Sequence, residues 1–168
     1  MHIPKSALIG ITALGISASA LAQDTPSPCS SPEFRAFDFW LGNWNVYGPK
    51  GNLAGTNNIT REFNGCVLHE HYNTDRGYSG ESFNIYDAPR KVWHQTWVDS
   101  SGLLLVLEGG IQNGKMVLSG QTTGTDDTIT SHRITWTPND DGSVRQFWES
   151  TNANGDWEVA FDGKYVRK

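Results

Sequence analysis

Only two cysteines and two methionines occur in the 168 residues, and charged side chains make up just 18%, with acids in excess for a formal charge of −5. That balance, with no run or face of Lys and Arg, excludes the phosphate-neutralising chemistry on which nucleic-acid binding depends. No apolar run reaches the roughly 20 residues needed to cross a bilayer as a helix, so no membrane anchor is expected. After Gly42 no stretch keeps a helical period long enough to supply a crossover helix, which argues against a parallel sheet. There is no Gly-x-Ser-x-Gly elbow; Ser79-Gly80-Glu81-Ser82 reads as a turn entering a strand. In their place stand 18 glycines and 7 tryptophans, the material of tight turns and aromatic walls.

Residues 1–22 carry Lys5, an apolar stretch from Ala7 to Ala18, and Ala20-Leu21-Ala22 before Gln23. These are the basic, apolar and small-residue zones of a secretory signal peptide cleaved after Ala22. Residue 23 is Gln rather than Cys, so no lipid attachment follows, and the expected location is periplasmic or secreted. Residues 23–31 form a Pro-rich arm, and residues 32–168 are of a length for one domain with a sizeable core. Export places Cys29 and Cys66 where disulfides persist. A bridge between them would tie the arm to the start of a strand, worth about 3–4 kcal/mol by the chain-entropy argument.

From Pro32 to Leu41 the pattern Phe34, Phe37, Phe39, Leu41 fits a short helical or 3₁₀ segment stopped by Gly42, an aromatic plug for the end of a sheet. Strand candidates follow at Asn43–Tyr47, Thr56–Phe63, Cys66–Tyr72, Gly80–Tyr86, Lys91–Val98, Leu103–Glu108, Lys115–Ser119, Thr128–Thr137, Ser143–Ser150 and Trp157–Val166. Between them lie Gly-, Asn- and Asp-rich connectors such as Gln112-Asn113-Gly114, suited to the positive φ of primed hairpin turns. Short loops favour sequential antiparallel pairing. The fold expected is therefore all-β, an up-and-down barrel of eight to ten strands with no exposed edge; a two-sheet Greek-key sandwich is the alternative.

Several blocks in order carry a resemblance: FDFWLGNW from Phe37, GCVLHEHY from Gly65, GES then YD between Gly80 and Asp87, WHQTWVDSSG from Trp93, HRITWTP from His132, and QFWES then FDGKYVRK to the end. Over 37–168 the chain resembles a family of small exported bacterial proteins of unassigned function that look like calycin-type, lipocalin-like barrels. The resemblance implies export and a barrel and supplies no reaction. Gly42-Asn43-Trp44 is also similar to the early Gly-x-Trp segment of lipocalins, fatty-acid-binding proteins and haem-binding nitrobindin-like barrels, in which the Trp packs at the closed end. The fuller Gly-Trp-Gly-Gly of the haem binders is absent here, so no cofactor is implied.

Strand alternation sorts side chains into two faces without naming the inner one. The lumen set expected is Glu70, Gln95, Trp97, Arg133, Gln146 and Trp148, because it mixes hydrogen-bonding groups with indoles suited to an amphipathic or aromatic molecule. Reversible binding of such a molecule is the function expected, in an accessible cavity touching Trp97 or Trp148 and one of Arg133, Gln95 or Gln146. The rivals are an acid–base enzyme using Glu70 and Arg133, or Glu70 with Glu149, and a structural or protein-interaction domain with a filled barrel. His69 and His71 point to one side of their strand, and His94 or His132 would be needed as a third imidazole; ordinary strand placement is the simpler reading, and no metal is expected. Oligomeric state is not legible.

Overall fold

The structure is a computed structural model that describes residues 28–168; the signal-peptide reading and the first part of the arm lie outside the described residues. Ten strands follow one another: β1 Gly42–Tyr47, β2 Leu53–Glu62, β3 Val67–Asn73, β4 Ser79–Asp87, β5 Val92–Asp99, β6 Leu104–Gln112, β7 Lys115–Thr123, β8 Ile129–Pro138, β9 Val144–Thr151 and β10 Trp157–Arg167. Each pairs antiparallel with its neighbour in sequence, and β1 closes on β10 from Trp44↔Arg167 to Tyr47↔Lys164. The sheet is thus a closed calycin-type barrel rather than two sheets. Every expected strand is present, most of them longer by one to several residues because pairing continues until the turn geometry ends it. At the β6–β7 hairpin Asn113 and Gly114 both take positive φ, 50° and 77°, the conformation a two-residue primed turn requires.

The segment before the barrel forms two 3₁₀ turns, Pro32–Arg35 and Asp38–Trp40, instead of one helix. Phe37 and Trp40 are wholly buried. Their rings stack at 4.9 Å, and Phe37 meets Trp93 and Trp136 edge-on at 5.7 and 5.2 Å. Trp44 of β1 donates its indole N–H to the Trp40 carbonyl at 2.9 Å, so the Trp of the Gly-x-Trp segment does pack at the closed end. The plug is fastened at its start by the disulfide Cys29–Cys66, whose Cα atoms are 5.0 Å apart, and by Arg35, which donates to the Cys29 and Gly65 carbonyls.

Inward positions climb the barrel in steps of two residues: Leu68, Glu70, Tyr72 on β3; Trp93, Gln95, Trp97 on β5; Val144, Gln146, Trp148 on β9. The lowest members join the plug in one apolar cluster. The middle members are polar and the upper ones aromatic. That stratification, apolar floor, polar belt and aromatic collar, positions the site.

Candidate functional site: a blind cavity above the aromatic floor

A cavity of about 300 Å³ occupies the upper half of the lumen, lined by Glu70, Tyr72, Tyr78, Gln95, Trp97, Leu105, Ile134, Gln146, Trp148, Ala160, Phe161 and Tyr165. This is the small end of the range for ligand pockets. Tyr78 and Ala160 are exposed, so the cavity opens at the collar, while Phe37 and Trp40 seal the opposite end.

The belt is a directed hydrogen-bond network that ends on Glu70. Gln95 Nε2 donates to Asn84 Oδ1 at 2.7 Å, Asn84 Nδ2 to Ser82 Oγ at 2.9 Å, and Ser82 Oγ to Glu70 Oε2 at 2.6 Å. From the other side Asn57 Nδ2 donates to Glu70 Oε1 at 2.6 Å. Tyr165, also wholly buried, gives its hydroxyl hydrogen to Gln146 Oε1. Burial pushes the Glu70 carboxyl up to about 7, against the opposing pull of the hydrogen bonds from Ser82 and Asn57. Burial likewise raises the Tyr165 hydroxyl well above its ordinary value. Asn57 Oδ1 is buried without a hydrogen-bond partner.

The collar is held from behind. Trp97 Nε1 and Tyr78 Oη both donate to Asp99 Oδ2, at 3.1 and 2.9 Å. Burial would raise the Asp99 carboxyl, but hydrogen bonds from Ser101, Trp97 and Tyr78 outweigh it and hold the group at about 2. Trp148 Nε1 donates to His132 Nδ1 at 3.2 Å, and His132 Nε2 meets the Thr122 hydroxyl at 2.9 Å; desolvation lowers the His132 pKa, which favours the neutral ring that can accept from Trp148. Room for Trp97 depends on Gly80: a Cβ there would lie 2.2 Å from the indole. On β10 Phe161 enters the collar opposite Trp148, in step with Gly163 and Tyr165, and a bulge between Val159 and Phe161 sets two steps against one on β9.

Five of the six residues expected in the lumen, Glu70, Gln95, Trp97, Gln146 and Trp148, line this one cavity. Arg133 does not. Inward on β8 are His132, Ile134 and Trp136, and Arg133 on the outer wall pairs with Glu149 at 2.9 Å and covers the Trp157 ring at 4.7 Å. Two apolar side chains at 134 and 136 decide that face, because the floor needs them more than the belt needs a guanidinium. Glu70 and Arg133 therefore share no site, nor do Glu70 and Glu149. The sequence reading missed Asn57, Ser82 and Asn84 in the belt and Tyr72, Tyr78, Phe161 and Tyr165 around them. Alternation in Gly55-Asn57-Ile59, Gly80-Ser82-Asn84 and Phe161-Gly163-Tyr165 was the available signal.

His69 and His71 face outward. His69 Nδ1 meets Glu62 at 3.2 Å and Nε2 meets Glu81 at 3.1 Å, His71 Nδ1 meets Glu81 at 3.1 Å, and Phe83 stacks on His69 at 4.2 Å. Ligand atoms of Glu62, His69 and His71 come within 4.8 Å of one another. Both ring nitrogens of His69 are already held by carboxylates, so an ion there would have to break those contacts first. None of these imidazoles reaches the cavity, and His132 has both nitrogens engaged.

The fold and cavity define the class: a lipocalin-like barrel with a blind interior pocket. No protein-family model matches this chain, and no curated protein matches it either. Among the described residues no helix is long and apolar enough to cross a membrane.

Proposed function

We propose that this protein binds a small aromatic or amphipathic molecule reversibly inside its barrel, in an exported compartment. The observation that carries the reading is the blind cavity itself, a polar belt below and an indole-rich collar above, where a filled barrel would have packed side chains. Trp97 and Trp148 supply apolar faces whose orientation is set by Asp99 and His132, and Gln95 and Gln146 supply orienting amides. Preset rings cost little entropy on binding. Export is supported by the leader-like residues 1–22 and by the disulfide, which persists in oxidising compartments; the likeness to the family of small exported barrels rests on the sequence blocks. The acid–base reading loses its pair, since among the described residues Glu70 is the only acid or base of the Asp, Glu, His, Lys and Arg type lining the cavity.

Native mass spectrometry of protein gently purified from its source is the direct test, joined to tryptophan fluorescence titration across a broad metabolite panel. A retained species of low mass, with fluorescence changes that vanish in Trp97→Ala or Trp148→Ala, is the expected result. No retained species and no response to any compound would overturn interior binding.

A further inference from the structure

The belt has more acceptors than donors. Every hydrogen bond around Glu70 points toward it: Asn57 and Ser82 each give one, and behind Ser82 the amides of Asn84 and Gln95 donate in the same direction. A carboxylate has about four acceptor positions, and two of them are filled. Asn57 Oδ1, on the amide whose nitrogen binds Glu70, is a second acceptor with no donor. Reversing that amide would turn Oδ1 onto Glu70, which suits the protonated carboxyl and not the carboxylate.

The cavity is also short of positive charge. Among the described residues no Lys or Arg lines it, and the cations of the neighbouring wall are engaged outside, Arg133 on Glu149 and Arg145 on Asp162. A buried carboxylate without a cation is costly, which is why such groups are paired or take up a proton. Around it stand Tyr72, Tyr78, Trp97, Trp148 and Phe161, rings whose faces attract a cation.

Resting on the interior-binding reading, the geometry points to a ligand class: an aliphatic amine borne on an aromatic or apolar body, its ammonium hydrogens directed to Glu70 and its body between the collar rings. An ammonium supplies three donors and one positive charge, the two things the belt lacks. An acid would set its charge against that of Glu70, and a neutral molecule would leave the carboxyl to its proton.

Burial keeps the Glu70 proton on at mildly acidic pH, so an ammonium that pairs with the carboxylate must displace it. The amine enters already charged, the Glu70 O–H bond breaks, and one proton passes to solvent for each amine bound. The other titratable groups facing the cavity leave this count unchanged. Tyr72, Tyr78 and Tyr165 are raised and stay neutral, while Asp99 behind the collar is already ionised. His132, behind Trp148, is lowered by burial.

The test is isothermal titration of the purified protein at pH 6 with 2-phenylethylamine, 2-phenylethanol and 3-phenylpropanoate, probes of similar size that differ in charge. The amine is expected to bind at least about tenfold more tightly than the other two, and Glu70→Gln is expected to abolish that preference. Should the variant fold poorly, the wild type gives a second readout: titration in two buffers of different ionisation enthalpy should show close to one proton released with the amine and none with the alcohol. Equal affinities, or a preference for alcohol or acid, would overturn the amine assignment while leaving interior binding in place. No binding of any probe would also overturn it, and interior binding would then fall only on the separate retained-species and panel measurements.

Discussion

Glu70 is set where ionisation is hardest, and this gives the free protein a pH signature. Its folded value of about 7 lies above the ordinary 4.5, so the folded state holds the proton more tightly than the unfolded chain. The stability linked to that proton is fully present below about 4.5, declines as pH rises, and is gone once pH exceeds about 7. At 1.36 kcal/mol for each pH unit the loss is about 3 kcal/mol. Urea unfolding of wild type and Glu70→Gln at a series of pH values should show their stability difference changing by this amount between pH 4.5 and 7.5, in favour of the variant as pH rises. A constant difference would mean that the carboxyl is solvated and the belt wet.

Among the elements, β4 and β5 show how a strand makes room for its neighbour. Gly80↔Asp99 and Ser82↔Trp97 are facing pairs, and the missing Cβ at Gly80 lets the Trp97 ring lie against β4. Gly80→Ala is expected to push that ring toward the cavity, costing about 1–3 kcal/mol in overpacking and weakening any ligand that stacks there; thermal unfolding and the fluorescence titration read the two effects separately. The ten strands and their connectors were legible because alternation and turn residues recur at short spacing. The faces of β5 and β9 could be chosen because their indoles and amides fall on a single side. On β8 both faces mix polar and apolar side chains, and only the need for Ile134 and Trp136 in the lumen excludes Arg133. The belt was legible in part, as Glu70, Gln95 and Gln146, since its remaining members come from strands whose own patterns are weak. Glu62 and Glu81 flanking His69 could not be foreseen, because register across three strands, which the alternation of one strand does not reveal, brings them together.

For the whole molecule, closure by β1 on β10 makes the ring of strands self-sufficient, and the disulfide tethers only the plug. Replacing Cys29 and Cys66 together by Ser is therefore expected to lower unfolding stability by about 3–4 kcal/mol while the far-UV circular dichroism keeps its β signature. Loss of that signature at neutral pH would show that the barrel itself depends on the tether. The blind shape of the cavity has a consequence of another kind. With the carboxyl deep and the cavity opening at the collar among the described residues, an amine of the proposed class would arrive in a fixed order, its polar head leading and its far end last. On that proposal, chemistry at the leading end would be tested against Glu70, and chemistry at the trailing end would not be tested at all once it cleared Tyr78. A molecule bearing a label, a sugar or a polymer on its tail would be admitted like the bare compound, whereas one methyl group too many on its head would turn it away.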